Sequence, residues 1–147
     1  MRVLLDTNVV VSALLFGGGP CQLLRMLCQC PFELWTSRPL LRELAATLEH
    51  EKLQAAVTRT GFSVETLVQA YASQAFVMPD ATLPAATFQP DPRDAPVVAA
   101  ALAAKTDWLI TGDRHLLDAK RMLPCEVLTV AEALQRLAQY IAGKGTR

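Results

Sequence analysis

The sequence has no surplus of charge. Fourteen Lys and Arg residues offset fourteen Asp and Glu, and the formal net charge is zero. That excludes a broad cationic surface gripping nucleic acid by charge alone, so any such chemistry needs local Arg or Lys contacts or a metal. No apolar run reaches the roughly 20 residues of a membrane helix, and Asp6 interrupts the apolar amino terminus too early for a signal-peptide core. A cytoplasmic protein with no membrane attachment is expected. Cys21, Cys28, Cys30 and Cys125 show neither C-x-x-C spacing nor nearby histidines. Reduced, mostly buried thiols are therefore expected, and not a zinc site. Gly17-Gly18-Gly19 is not followed by Lys-Ser/Thr at phosphate-loop spacing, and Gly143-Lys144-Gly145-Thr146 trails a helix instead of a strand. No G-x-S-x-G elbow supports a serine hydrolase, and there is no internal repeat or low-complexity segment.

What is present is a globular composition. Hydrophobic residues make up 52% and charged residues 19% of 147 positions, enough chain and apolar content for one domain spanning 1–147. Val3-Leu4-Leu5 reads as a short buried strand ending at Asp6. An apolar helix follows from Thr7 to Leu15, with Asp6, Thr7 or Asn8 as its cap. The glycines at 17–19 read as a hinge to a second helix carrying Leu23, Leu24, Leu27 and Cys28 at helical spacing. Phe32 to Thr36 is a second strand, and Ser37 with Pro39 starts a helix whose apolar face is Leu40, Leu41, Leu44 and Leu48. Gly61 to Ala75 reads as one helix, Phe76-Val77-Met78 as a third strand, and Pro79 to Pro92 as a loop. Asp94 opens a helix with Val97, Val98, Ala101 and Leu102 on its buried side. Trp108 to Thr111 is a fourth strand, Arg114 to Lys120 a helical turn, Glu126 to Thr129 a fifth strand, and Val130 to Ala142 a last amphipathic helix. Alternating strands and helices point to an α/β fold with a central parallel sheet of about five strands covered on both faces.

Asp6, Glu43, Asp94 and Asp113 each fall at or just past a strand-to-helix junction, and in such a sheet those junctions share one edge. Taken singly, Asp94 is a natural helix cap, Asp113 could cap the turn at Arg114, and Glu43 is an ordinary solvated helix residue. Asp6 is harder to dismiss, because an acid closing a buried strand is costly without a partner. Together, several carboxylates at one edge would raise one another's pKa, and a divalent cation would remove most of that repulsion. An acid cluster without Cys or His suits Mg²⁺ or Mn²⁺. Such a site can orient a water and stabilise charge on a phosphodiester. A phosphotransfer receiver would want an acidic pair after the first strand, and a haloacid-type phosphatase a second acid at position 8. Thr7 and Asn8 stand there instead.

Leu5-Asp6-Thr7-Asn8-Val9, Ser37-x-x-Leu40-Leu41-x-Glu43-Leu44, Asp91-Pro92-x-Asp94-x-Pro96-Val97 and Ile110-Thr111-Gly112-Asp113 occur in one order along nearly the whole chain. In this the sequence resembles the PIN domain family. The Asp-Thr-Asn-Val opening, the Gly-Gly-Pro hinge and the late Leu-Ile-Thr-Gly-Asp are most similar to its toxin branch, the VapC-type ribonucleases of toxin–antitoxin systems. The resemblance implies a three-layer α/β/α sandwich and a Mg²⁺- or Mn²⁺-dependent endoribonuclease whose partners are RNA, a cognate antitoxin and a second copy in a homodimer. It places Asp6, Glu43, Asp94 and Asp113 on the family's catalytic, metal-binding acidic quartet, with Asn8 and Thr111 as supporting polar residues. Asp91 is either an outer-sphere helper or a loop acid, and the loop reading is preferred. Arg38, Arg93, Arg114 and His115 are candidates for substrate phosphate contacts. The alternative is a PIN-like binding module that does not cleave.

Overall fold

A computed structural model describes residues 1–29, 31–80 and 91–145. In strand β1 (Arg2–Leu5) all of Val3, Leu4 and Leu5 are buried, and they divide between two cores. Val3 and Leu5 face one side and Leu4 the other, as the two-residue repeat of a strand requires. The same split occurs in β4 (Trp108–Ile110), where Trp108 and Ile110 join the first core and Leu109 the second. Burial on both faces is what a covered parallel strand demands.

With β2 (Glu33–Ser37), β3 (Phe76–Met78) and β5 (Glu126–Leu128), these strands form a sheet of order β3-β2-β1-β4-β5. Every neighbouring pair is parallel, and Leu4 lies opposite both Trp35 and Leu109. One face is covered by α1 (Thr7–Leu15), α2 (Gly18–Leu27), α3 (Arg38–Leu48), α5 (Val64–Ser73) and α8 (Val130–Gly145). These contribute Val9, Leu23, Leu44, Tyr71 and Leu137 to the first core. The other face is covered by α6 (Ala95–Ala103) and α7 (Arg114–Asp118), through Val97, Val98, Ala101 and Leu116. The fold is the three-layer α/β/α sandwich that the strand–helix alternation implies.

The glycines at 17–19 do form a hinge. Gly17 and Gly18 sit at φ +69° and +68°, where a side chain would be strained, and the axes of α1 and α2 meet at 103°. The helix expected over Gly61 to Ala75 forms as α5, starting three residues later. Gly61, at φ +76°, is the left-handed end of a helix that the sequence does not announce, α4 (Gln54–Thr60). Helix α5 starts only after Ser63, whose side chain accepts from the Thr66 N–H. The expected loop from Pro79 to Pro92 falls largely on 81–90, outside the described residues. Of the described cysteines only Cys125 is buried. Cys21 is half-buried and Cys28, capping the end of α2, is exposed, so the expectation of mostly buried thiols is wrong. Among the described residues no single helix is long and apolar enough to cross a membrane.

Candidate functional site

The sheet reverses its winding direction at β1 and β4, and the crevice beyond their carboxyl ends is where such folds bind ligands. Asp6 follows β1 and caps α1. Its Oδ1 accepts the Thr7 N–H at 2.8 Å and its Oδ2 accepts the Thr111 hydroxyl at 2.7 Å. Thr111 is fully buried behind it, and its Oγ1 also accepts the Asp113 N–H at 2.9 Å. One threonine therefore ties together the acids beyond two adjacent strands. Asp113 caps α7 by accepting the His115 N–H at 2.8 Å, with the His115 ring Nδ1 3.2 Å from the same oxygen. Glu43, on α3, accepts the hydroxyl of buried Thr7 at 2.7 Å through Oε2. Both Asp6 and Asp113 thus serve as helix caps, and capping leaves their carboxylates at the cavity.

Asp94 is built differently. It ends a short 3-10 turn, Pro92–Asp94, that leads into α6, and its side chain makes no capping bond. The cap belongs to Asp91, which accepts the Arg93 N–H at 2.8 Å and the Arg93 guanidinium Nη2 at 2.9 Å. Asp94 is only 6% exposed, and its buried Oδ2 has no hydrogen-bond partner. Burial, then the neighbouring charge of Asp113 and a hydrogen bond to it, then Asp91 and Asp6, push its carboxyl up to about 6. Burial also raises Asp6, against the lowering pull of its Thr111 and Thr7 bonds, and Asp113 adds to the rise. Asp91 goes the other way, to about 2, because Arg93 stabilises its charge.

These side chains line one cavity of about 360 Å³: Asp6, Thr7, Asn8, Glu43, Thr47, Asp91, Arg93, Asp94, Val97, Asp113 and His115. All four acids singled out in the sequence are brought together there. Asn8 is exposed at the wall, whereas Thr111 holds Asp6 from behind. Arg93 and His115 reach the cavity. Arg38 and Arg114 are exposed and outside its lining. Among the polar lining residues, Thr7 is expected only as a possible cap and Thr47 not at all, while Asp91, preferred as a loop acid, lies at the cavity where its alternative reading puts it. Thr47 has a legible signal, since it lies four residues beyond Glu43 on the same helix face.

Whether the cavity suits a divalent cation rests on its chemistry. The donors are hydroxyl and carboxylate oxygens, Asp94 carries an orphaned buried oxygen, and the acids disfavour one another's charge. Among the described residues no three Asp, Glu, His or Cys side chains close on a single point. That excludes a dedicated cage but fits a small hard cation that keeps several waters and takes one or two carboxylates directly.

No curated protein matches the sequence. In fold the chain is similar to one in a crystal structure of VapBC2 from Rickettsia felis bound to a DNA fragment from their promoter. The TM-score is 0.61 at 15% identity, covering 88% of this chain and 98% of that one. The sequence also matches the PIN domain family over residues 2–115, a span that takes in α1 through the start of α7 and all four acids. The chain belongs to the PIN domain family.

Proposed function

We propose that the chain is a divalent-metal-dependent endoribonuclease, the toxin component of a toxin–antitoxin system, hydrolysing RNA phosphodiester bonds with Mg²⁺ or Mn²⁺. One observation carries the reading: acids from four separate parts of the chain line one cavity, and Asp94 offers it a buried oxygen with no protein partner. A purely structural acid would have its partners within the protein.

Asp6, Glu43, Asp94 and Asp113 are the groups that would hold the cation, one or two of them directly and the rest through its waters. When bound, the ion supplies positive charge against the phosphodiester and activates a water for in-line displacement. The protein supplies orientation. Thr111 and the Thr7 N–H fix both oxygens of Asp6, and Thr7 fixes Glu43. Arg93 and His115 bring positive or hydrogen-bonding groups to a phosphate at the rim. Water attacks phosphorus and gives up a proton to solvent, the ester P–O bond breaks, and the leaving oxygen takes a proton from solvent. A cytoplasmic location, a homodimer and a protein antitoxin belong to the same proposal. The likeness to a VapBC2 chain supports the toxin assignment.

The test is cleavage of single-stranded RNA with and without Mg²⁺ or Mn²⁺, in the wild type and in Asp6→Asn. Metal-dependent cleavage abolished by the substitution supports the reading; metal-independent cleavage, or a fully active variant, overturns it. A folded wild type that neither cleaves nor binds metal at millimolar concentration supports the non-cleaving binding module instead.

A further inference from the structure

Beside the acidic cavity lies a second, shallower one of about 440 Å³, lined by Glu43, Ala46, Thr47, His50, Lys52 and Leu53. The two share Glu43 and Thr47, so the second forms a groove adjoining the first at α3. Glu43, Ala46 and Thr47 share one face of α3, and His50 follows just beyond its end. The acids line the first cavity. In the second, beyond Glu43, carboxylates give way to an apolar floor of Ala46 and Leu53 with a rim of His50 and Lys52.

The rim is organised. His50 caps the 3-10 turn Glu51–Leu53, its Nδ1 accepting the Lys52 N–H at 3.3 Å. An accepting Nδ1 leaves the ring proton on Nε2, so the imidazole keeps an outward donor and a free flat face. Lys52 is exposed and makes no ion pair among the described residues. A flat ring, an apolar floor and one unpaired cation are the parts that bind a nucleotide in a single strand: stacking for the base and charge for its phosphate. The volume is that of a small-ligand site.

We propose that this groove is a subsite for the nucleotides flanking the scissile phosphate, with His50 stacking or hydrogen-bonding a base and Lys52 contacting a phosphate. It rests on the nuclease reading for its occupant. A single-stranded RNA is favoured over a protein segment because the groove adjoins, through Glu43 and Thr47, the cavity proposed to hold a phosphodiester. Arg93 lines the acidic cavity and Lys52 the groove beside it, so each carries a cation. A strand lying across both would then be held by a phosphate in each.

The experiment is fluorescence anisotropy with labelled single-stranded RNA of four and eight nucleotides, in Ca²⁺, on the wild type and on His50→Asn/Lys52→Gln. Asn keeps a capping oxygen, and both positions are exposed, so the variant folds. The wild type should bind the longer strand at least about tenfold more tightly. The variant should lose that advantage while binding the shorter strand within about twofold of wild type. Equal weakening for both lengths, or an unchanged length dependence, overturns the subsite. So does a variant that keeps RNA binding but loses a co-expressed antitoxin on gel filtration, which would make the groove a protein-docking surface. RNA binding with the predicted length dependence but without metal-dependent cleavage leaves the subsite standing and removes the nuclease. Cleavage without the length effect does the reverse.

Discussion

Asp6 and Asp94 are both acids drawn out of water at one cavity, yet their hydrogen bonding differs. Asp6 has each oxygen matched, one to the Thr7 N–H and one to the Thr111 hydroxyl. Asp94 faces other acids and keeps a buried oxygen with no partner. A buried carboxylate is tolerated when hydrogen bonds replace its water and is costly when they do not. The Asp6 side of the cavity is thus a finished polar network, and the Asp94 side is under electrostatic stress. That stress is what a bound cation would relieve, which is why the two halves bear on function and not only on stability.

The sharpest way to break the comparison is Asp94→Asn. An amide can donate to Asp113 and carries no charge. The metal-free variant should gain about 1–3 kcal/mol in denaturant unfolding near neutral pH, while RNA cleavage falls at least about a hundredfold. Thr111→Val attacks the finished side. It strips a partner from both Asp6 and the Asp113 N–H, so stability should fall by about 1–3 kcal/mol and activity by about tenfold to a hundredfold. Opposite signs of the two stability changes are the signature of the asymmetry.

The titration follows from the same contrast. Asp94 has a folded pKa of about 6, above its unfolded value of 3.8. Its contribution is present below the unfolded value and is lost as pH rises through about 4 to 6, so metal-free thermal stability should fall across that window. Asp91 has its folded pKa lowered to about 2, so its contribution is lost only as pH falls below about 4. Asp94→Asn should flatten the upper window and leave the lower one. The smallest effect is Arg93→Gln. Its side chain is 87% exposed, and solvent screens an ion pair so placed, so stability should barely move. The RNA KM should rise several-fold with kcat held.

The sheet and the acid quartet are legible in the sequence. Short continuous apolar runs mark strands buried on both faces, and an acid that closes such a strand is tolerated only with a partner. The helix breaks are less so. Gly61 reads as the start of a helix, whereas it closes α4 in the left-handed conformation and the next helix starts at Val64. The capping roles are half legible. Asp6 and Asp113 cap as any Asp at those positions could, yet the cap ahead of α6 falls to Asp91, because a 3-10 turn there moves the capping position three residues upstream. Nothing in residue order announces that turn. Nor does it announce that Thr7, at the very start of a helix signal, reaches Glu43 thirty-six positions away. Polar bonds between distant elements are set by register, and register follows from the whole sheet.

The central claim is that the stress at Asp94 marks a cation site. Isothermal titration calorimetry of Mn²⁺ into the metal-free protein tests it most directly, with Asp94→Asn and Thr111→Val alongside. Saturable binding to the wild type, weakened about tenfold or more in both variants, is the predicted result. No saturable binding to the folded wild type, or equal affinity in Asp94→Asn, would contradict it.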